Sequence, residues 1–343
     1  MTGPAAETLP FFLRPNSGFG RIRPEDDLLH PASFAKITDD SATETQYFGF
    51  CVPEARLHGL TYVWWHPNLK VCSGGLFVYR GIKPTTVHAE LCDWRTYMND
   101  AVITKNDLHD YRLSNGFGVR IVEPLQKFHI TYADEANGNH LDLNATAVLP
   151  PVMFEDGNHF EQSMRMKGEV TLRGSRYAVD CYAIRDRSWG KPRPETLMPF
   201  PPVSWMTASF TDDFSFNCNA FDHASGQPER AGEWVMPDER GLNSGWIFRE
   251  GTLGRVVKAT KRITRAVSST ICSAIDLQLV DEHGRVVHAR GTGITSCPIQ
   301  LWGNVWTVIN LIRWDCEGHV GYGDCQDVLF GSYLNSKVFK GER

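Results

Sequence analysis

Asn158 to Gly190 reads NHFEQSMRMKGEVTLRGSRYAVDCYAIRDRSWG: two runs rich in β-branched and aromatic residues, joined at Arg173-Gly174. A glycine turn between alternating runs is the signature of a β-hairpin. The same texture recurs on both sides. Upstream lie Leu60 to Trp65, Gly75 to Tyr79, Gly118 to Val122 and Phe128 to Tyr132; downstream lie Trp205 to Phe210, Ser215 to Ala220, Ser273 to Val280 and Val305 to Trp314. Asn137-Gly138, Asp156-Gly157 and His283-Gly284 supply further turns. Many short strands at hairpin spacing predict an all-β chain of barrels or sandwiches rather than βαβ units. Only Glu25 to Ile37, broken by Pro31, and Thr86 to Met98, with Val87, Leu91, Trp94 and Met98 at helical spacing, read as helical.

The chain has 343 residues, enough for two cores. Lys191 to Pro202, KPRPETLMPFPP, is too rich in proline to be a strand. It divides the chain into an N-terminal arm (1–40), a first domain (41–190), a connection (191–202) and a second domain (203–343). The order of strand, turn and central strand is similar in both halves, which suggests an old duplication.

With 42% hydrophobic and 22% charged residues the composition is globular, and the net charge of −5 lacks the basic excess that nucleic-acid binding needs. Lys258, Lys261, Arg262 and Arg265 read as a solvated strand face. No stretch is apolar enough to span a bilayer, and the N-terminus lacks a secretory pattern, so a cytoplasmic location is expected. The nine cysteines are scattered without a C-x-x-C pair, which favours buried thiols over a disulfide framework or zinc site. A nucleophile elbow, a dinucleotide fingerprint, a P-loop and H-E-x-x-H are all missing. No cofactor is expected. A second copy of the chain is a candidate partner.

Chemistry concentrates in the opening hairpin. His159, Glu161 and Ser163 share one strand face, and Arg185, Asp186, Arg187, Ser188 and Trp189 lie across the turn. Such groups must pair with one another or serve a ligand. The arginines suit an ion-pair clamp, whereas Asp186, His159 and Glu161 suit proton transfer. A metal held by His159 and Glu161 would lack an evident third ligand, so no metal is expected. Trp64, Trp65, Trp189, Trp205 and Trp302, with Tyr322 in its Gly-Tyr-Gly run, are candidates for an aromatic pocket around a small hydrophobic molecule. One of the adjacent pair Trp64 and Trp65 must point to each side.

The hairpin, with DEHGRVVHARGTGITSCPIQLW (281–302) and GHVGYGDCQDVLFGSY (318–333), resembles the lipocalin-like superfamily of hydroxyneurosporene synthase (carotenoid hydratase) and the AttH-like proteins. The similarity is greatest to a largely uncharacterised bacterial branch with the same two-half layout, and RDRSWG (185–190) is its most specific piece. The resemblance implies two lipocalin-like barrels or half-barrels packed together, with a ligand site near their junction. It also implies cofactor-free hydration, dehydration or cyclisation of a terpenoid-like substrate, with Asp186 or Glu161 as acid and His159 as its partner. Related fungal pericyclases imply that such a cavity can also work by shaping a polyene. A non-catalytic carrier of a hydrophobic metabolite is the alternative.

Overall fold

The computed structural model describes residues 22–154, 157–193, 199–230, 232–265 and 271–339. They form two compact units, one of 22–79 with 89–193, the other of 80–88 with the chain from 199 onward.

The first unit is built on β1 (Thr43–Val52), β2 (Leu57–His66), β3 (Val71–Arg80), β4 (Leu91–Asn99), β5 (Asp110–Arg112), β6 (Gly118–Glu123), β7 (Lys127–Asp134), β8 (Asn139–Ala147), β9 (Val152–Met153), β10 (His159–Leu172) and β11 (Ser175–Lys191). They make one half-barrel sheet in the order β4-β3-β2-β1-β11-β10-β8-β7-β6-β5, with β9 on β10. The opening hairpin is β10–β11, paired from His159–Ser188 to Leu172–Ser175. Arg173 and Gly174 turn it in left-handed conformations (φ 50° and 81°), the second of which glycine adopts without cost. Gly168 serves a different need, since a Cβ there would meet the Asp142 carbonyl oxygen at 2.0 Å.

The second unit closes into a barrel of β12 (Val203–Thr211), β13 (Phe214–Phe221), β14 (Leu242–Arg249), β15 (Thr252–Arg265), β16 (Cys272–Asp281), β17 (Val286–Trp302), β18 (Val305–Cys316) and β19 (His319–Phe330). Closure removes the unpaired edges that an open sheet must protect. Alternate residues such as Phe214, Phe216, Cys218 and Ala220 enter its apolar core with Ile247 and Trp314. Segment 80–88 joins this unit through Lys83, whose backbone N–H donates to the Ser296 carbonyl at 2.7 Å.

The chain is therefore all-β, and among the described residues the only α-helices are the short α1 (Pro31–Phe34), α2 (Ala101–Thr104) and α3 (Gly331–Phe339). Two local expectations fail. Thr86 to Met98 is not a helix: after a short 3-10 turn it becomes β4, because hydrogen bonding to β3 and the stacking of Trp94 on Phe77 outweigh a 3.6-residue pattern. Val87, part of the supposed apolar stripe, is 87% exposed. Nor are all the cations of β15 solvated, since Lys261 is fully buried against Asp222 and Arg265 bonds Asp222 and Asp327. Part of the proline-rich connection, 194–198, lies outside the described residues. All nine cysteines are free thiols. Among the described residues no helix is long and apolar enough to cross a membrane.

Candidate functional site

Register decides which polar groups of the hairpin meet. Asp186 stands opposite Glu161 on β10 and Tyr47 on β1, and Tyr47 stands opposite Tyr62 on β2. Two residues along, Ser188 stands opposite His159 and Thr45, and Thr45 opposite Trp64. Directly opposed residues project to the same side, as do residues two apart. One face of the sheet thus carries two parallel rows, Tyr62–Tyr47–Asp186–Glu161 and Trp64–Thr45–Ser188–His159.

Within these rows His159 Nε2 and Asp186 Oδ2 share a 2.6 Å hydrogen bond, and both side chains keep slight exposure, 14% and 21%. The buried Glu161 completes a trio whose ligand-type atoms all lie within 4.8 Å of one another. Asp186 Oδ1 is also buried and has no hydrogen-bond partner among the described residues. Phe154 stacks on the His159 ring at 4.3 Å, fixing its plane. Thr45 and Ser188 hydroxyls share a 2.7 Å bond, and Arg193 Nη2 donates to Ser188 Oγ at 2.5 Å. Burial, aided by the charge of Asp186, pushes the Tyr62 phenol far above its usual range, so it stays a hydrogen donor. Trp64 meets Tyr62 and Trp94 edge-on, at 5.6 and 4.9 Å between centroids.

The opposite face takes the alternate residues and builds a clamp. Arg185, fully buried, donates to Asp27 at 2.6 Å and to Gln162 at 2.7 Å, and lies over the Phe128 and Phe160 rings. Arg187 binds Glu44 and the Leu28 carbonyl, each at 2.5 Å. Both arginines therefore anchor the described part of the N-terminal arm to the sheet. Trp189 stacks on His30 at 3.9 Å, and Trp65 donates its indole N–H to Asp100 at 3.0 Å. Of the tryptophans expected around the trio in this unit, only Trp64 shares its face.

In the second unit Trp205 and Trp302 pack in one cluster with Val203, Val305 and Phe330. Tyr322 stands opposite Ser209 on β12 and Arg313 on β18.

His159, Glu161 and Asp186 form a donor set that a divalent cation could use, imidazole plus two carboxylates. Sequence spacing offered only the first two, and the β10–β11 register supplies the third. Tyr62, Tyr47 and Thr45 escaped the sequence reading altogether, because strand order alone puts β1 between β2 and β11. The uninterrupted burial of β1 makes even its alternation invisible.

Two lipocalin-like β units, one a half-barrel and one a closed barrel, define the class of this protein. The chain belongs to the family described as a domain of unknown function (DUF7064), whose model matches residues 23–327. Its fold is that of an AttH-like protein of Nitrosomonas europaea (NE1406), at 13% identity and a TM-score of 0.60, with 91% of this chain and 96% of that one covered. Kievitone hydratase from Nectria haematococca is similar at 11% identity and a TM-score of 0.51, with 88% and 93% covered. No curated protein matches the sequence.

Proposed function

We propose that the chain is a cofactor-independent lyase or isomerase that acts by acid catalysis on a small hydrophobic, terpenoid-like molecule. The observation that carries this reading is the 2.6 Å His159–Asp186 bond beside Glu161, on a face that also bears Tyr62 and Trp64. That bond holds one proton between an imidazole and a carboxylate, and positioned acids and bases of this kind contribute about 10²–10⁴-fold to a rate. In a hydration, Asp186 gives the proton to an alkene carbon. The Trp64 ring steadies the resulting cation, an attraction of about 0.5–2 kcal/mol. Water adds, and His159 or Glu161 takes its proton, restoring the cluster; dehydration runs the same steps backward. Kievitone hydratase, a protein of similar fold whose name states the addition of water, supports addition or removal of water as the candidate reaction.

The test starts with native mass spectrometry of the protein from cells and identification of any bound molecule. That molecule, or a panel of alkenes and allylic alcohols, is then incubated with wild type and Asp186→Asn. The expected result is a loss of turnover of about 10²-fold or more with ligand affinity and melting temperature nearly unchanged. Turnover that survives Asp186→Asn rules out the acid role, and bound cargo that no incubation changes makes the protein a carrier.

A further inference from the structure

The second unit holds a group of buried polar side chains that the proton-transfer trio does not use. On β13, Ser215, Asn217 and Asn219 alternate with the residues of the apolar core and so share the opposite face. Across β14, Trp246 faces Asn217 and Ser244 faces Asn219. Asn219 is completely buried, yet neither its amide nitrogen nor its amide oxygen has a hydrogen-bond partner among the described residues. The same holds for the hydroxyl of Ser215 and the indole N–H of Trp246, each residue 1% exposed, and for the buried Ser244 hydroxyl. Buried polar side chains in native proteins nearly always have partners, so a patch of four such residues calls for something that bonds them.

An apolar platform continues from this patch. Trp205 stands opposite Asn219 on β12 and packs with Val203, Val305, Phe330 and Trp302. The face is therefore amphipathic: aromatic and aliphatic at one end, rich in uncharged donors and acceptors next to it.

We propose that this face binds the neutral, oxygen-bearing end of a small apolar molecule, a hydroxyl or carbonyl group, with the hydrocarbon part on the Trp205–Trp302 cluster. An amide and hydroxyls can donate and accept, and an indole can donate, so the set matches a neutral oxygen function. A charged ligand would need a buried counter-charge. The buried cations of this unit, Lys261 and Arg265, are bonded to Asp222 and Asp327, and Asp324, two residues from the Gln326 that faces Trp205, would repel an anion. The proposal rests on the small-apolar-substrate reading and narrows it to an oxygenated class, but its test requires no turnover.

Binding of three matched probes, 2-naphthol, naphthalene and 2-naphthoate, is followed by tryptophan fluorescence and calorimetry on the full chain. Wild type is expected to bind 2-naphthol at least ten-fold more tightly than the other two. Asn219→Leu, which replaces an unbonded amide by an apolar group of similar size, should melt no lower than wild type, keep its affinity for naphthalene and lose the preference. Ser215→Ala should reduce the preference in part. Asp186→Asn should keep it in full, so that failure of the acid-catalysis reading and failure of this one give different results. Equal binding of the three probes, as expected if the patch holds only water, overturns the proposal. So does a preference that survives Asn219→Leu, or a lowered melting point with selectivity intact, which would mean that the amide is bonded within the fold.

Discussion

Asp222→Asn probes the charge cluster inside the second unit. Asp222 is fully buried and receives Lys261 Nζ at 2.9 Å on Oδ1, with Arg230 Nη1 at 2.7 Å and Arg265 Nη1 at 2.8 Å on Oδ2. Bonds to charged groups contribute about 1.5–3 kcal/mol each, so three sum to roughly 6 kcal/mol. Asparagine has the same shape but a single acceptor oxygen and no charge, so the cations around it keep fewer bonds and lose this counter-charge. The expected loss is about 3–5 kcal/mol, the range for breaking a buried ion pair. At roughly 2–4 °C per kcal/mol for a unit of this size, the melting temperature should fall by about 6–20 °C at pH 7. Burial alone would raise the Asp222 carboxyl, but Arg265 and Lys261 hold it well below the usual carboxylate range. A depressed folded-state value gives stability that is present above the ordinary value, about 4, and is lost as pH falls toward the folded one. The gap between wild type and variant should therefore narrow below about pH 4. Circular dichroism melts from pH 7 to 3 read both effects. A loss under about 1 kcal/mol, or a gap that does not narrow, would refute the argument that this carboxylate is what makes the buried Lys261 tolerable.

Three further outcomes follow from the geometry. Asp27→Asn removes the counter-charge of the fully buried Arg185, and should cost about 3–5 kcal/mol and expose the segment from Ile22 to Phe34 to limited proteolysis at temperatures where wild type resists. Gly168→Ala places a Cβ against the Asp142 carbonyl oxygen at φ 149°, and should lower the melting point by an amount matching more than about 2 kcal/mol, which differential scanning calorimetry would record. Burial opposes charge on His30, but the Asp26 carboxylate 3.6 Å from Nε2 and the Glu44 carboxylate bonded to Nδ1 at 2.9 Å outweigh it and the opposing charge of Arg187, so its pKa is raised. The arm's anchorage should thus be full below about pH 6.5 and weaken as pH climbs through the raised value. Amide exchange at Leu29 and His30, corrected for intrinsic rates, would show protection falling with rising pH.

Alternation and turn chemistry in the 158–190 stretch were enough to establish strands, hairpin and all-β class, because a period of two and a glycine turn are local properties of the chain. His159 and Glu161 sharing a face followed from the same rule. The rest was decided by pairing. Whether Asp186 or its arginine neighbours face His159 depends on a register that a shift of one residue would invert. In the folded chain Asp186 joins the imidazole while Arg185 and Arg187 turn to Asp27 and Glu44, about 140 to 160 positions away in the chain. Trp64 and Trp65 part in the same way, one toward Tyr62 and the other toward Asp100. Lys261 looked like a surface residue because composition cannot show that Asp222 reaches it from another strand's end. Apolar periodicity over Thr86 to Met98 misled because an edge strand takes its hydrogen bonds from β3. Local patterns record what each segment can bury. Long-range strand pairing chooses the partners, and in this protein it assembled the His159–Glu161–Asp186 trio, the clamp behind it and the polar patch of the second unit.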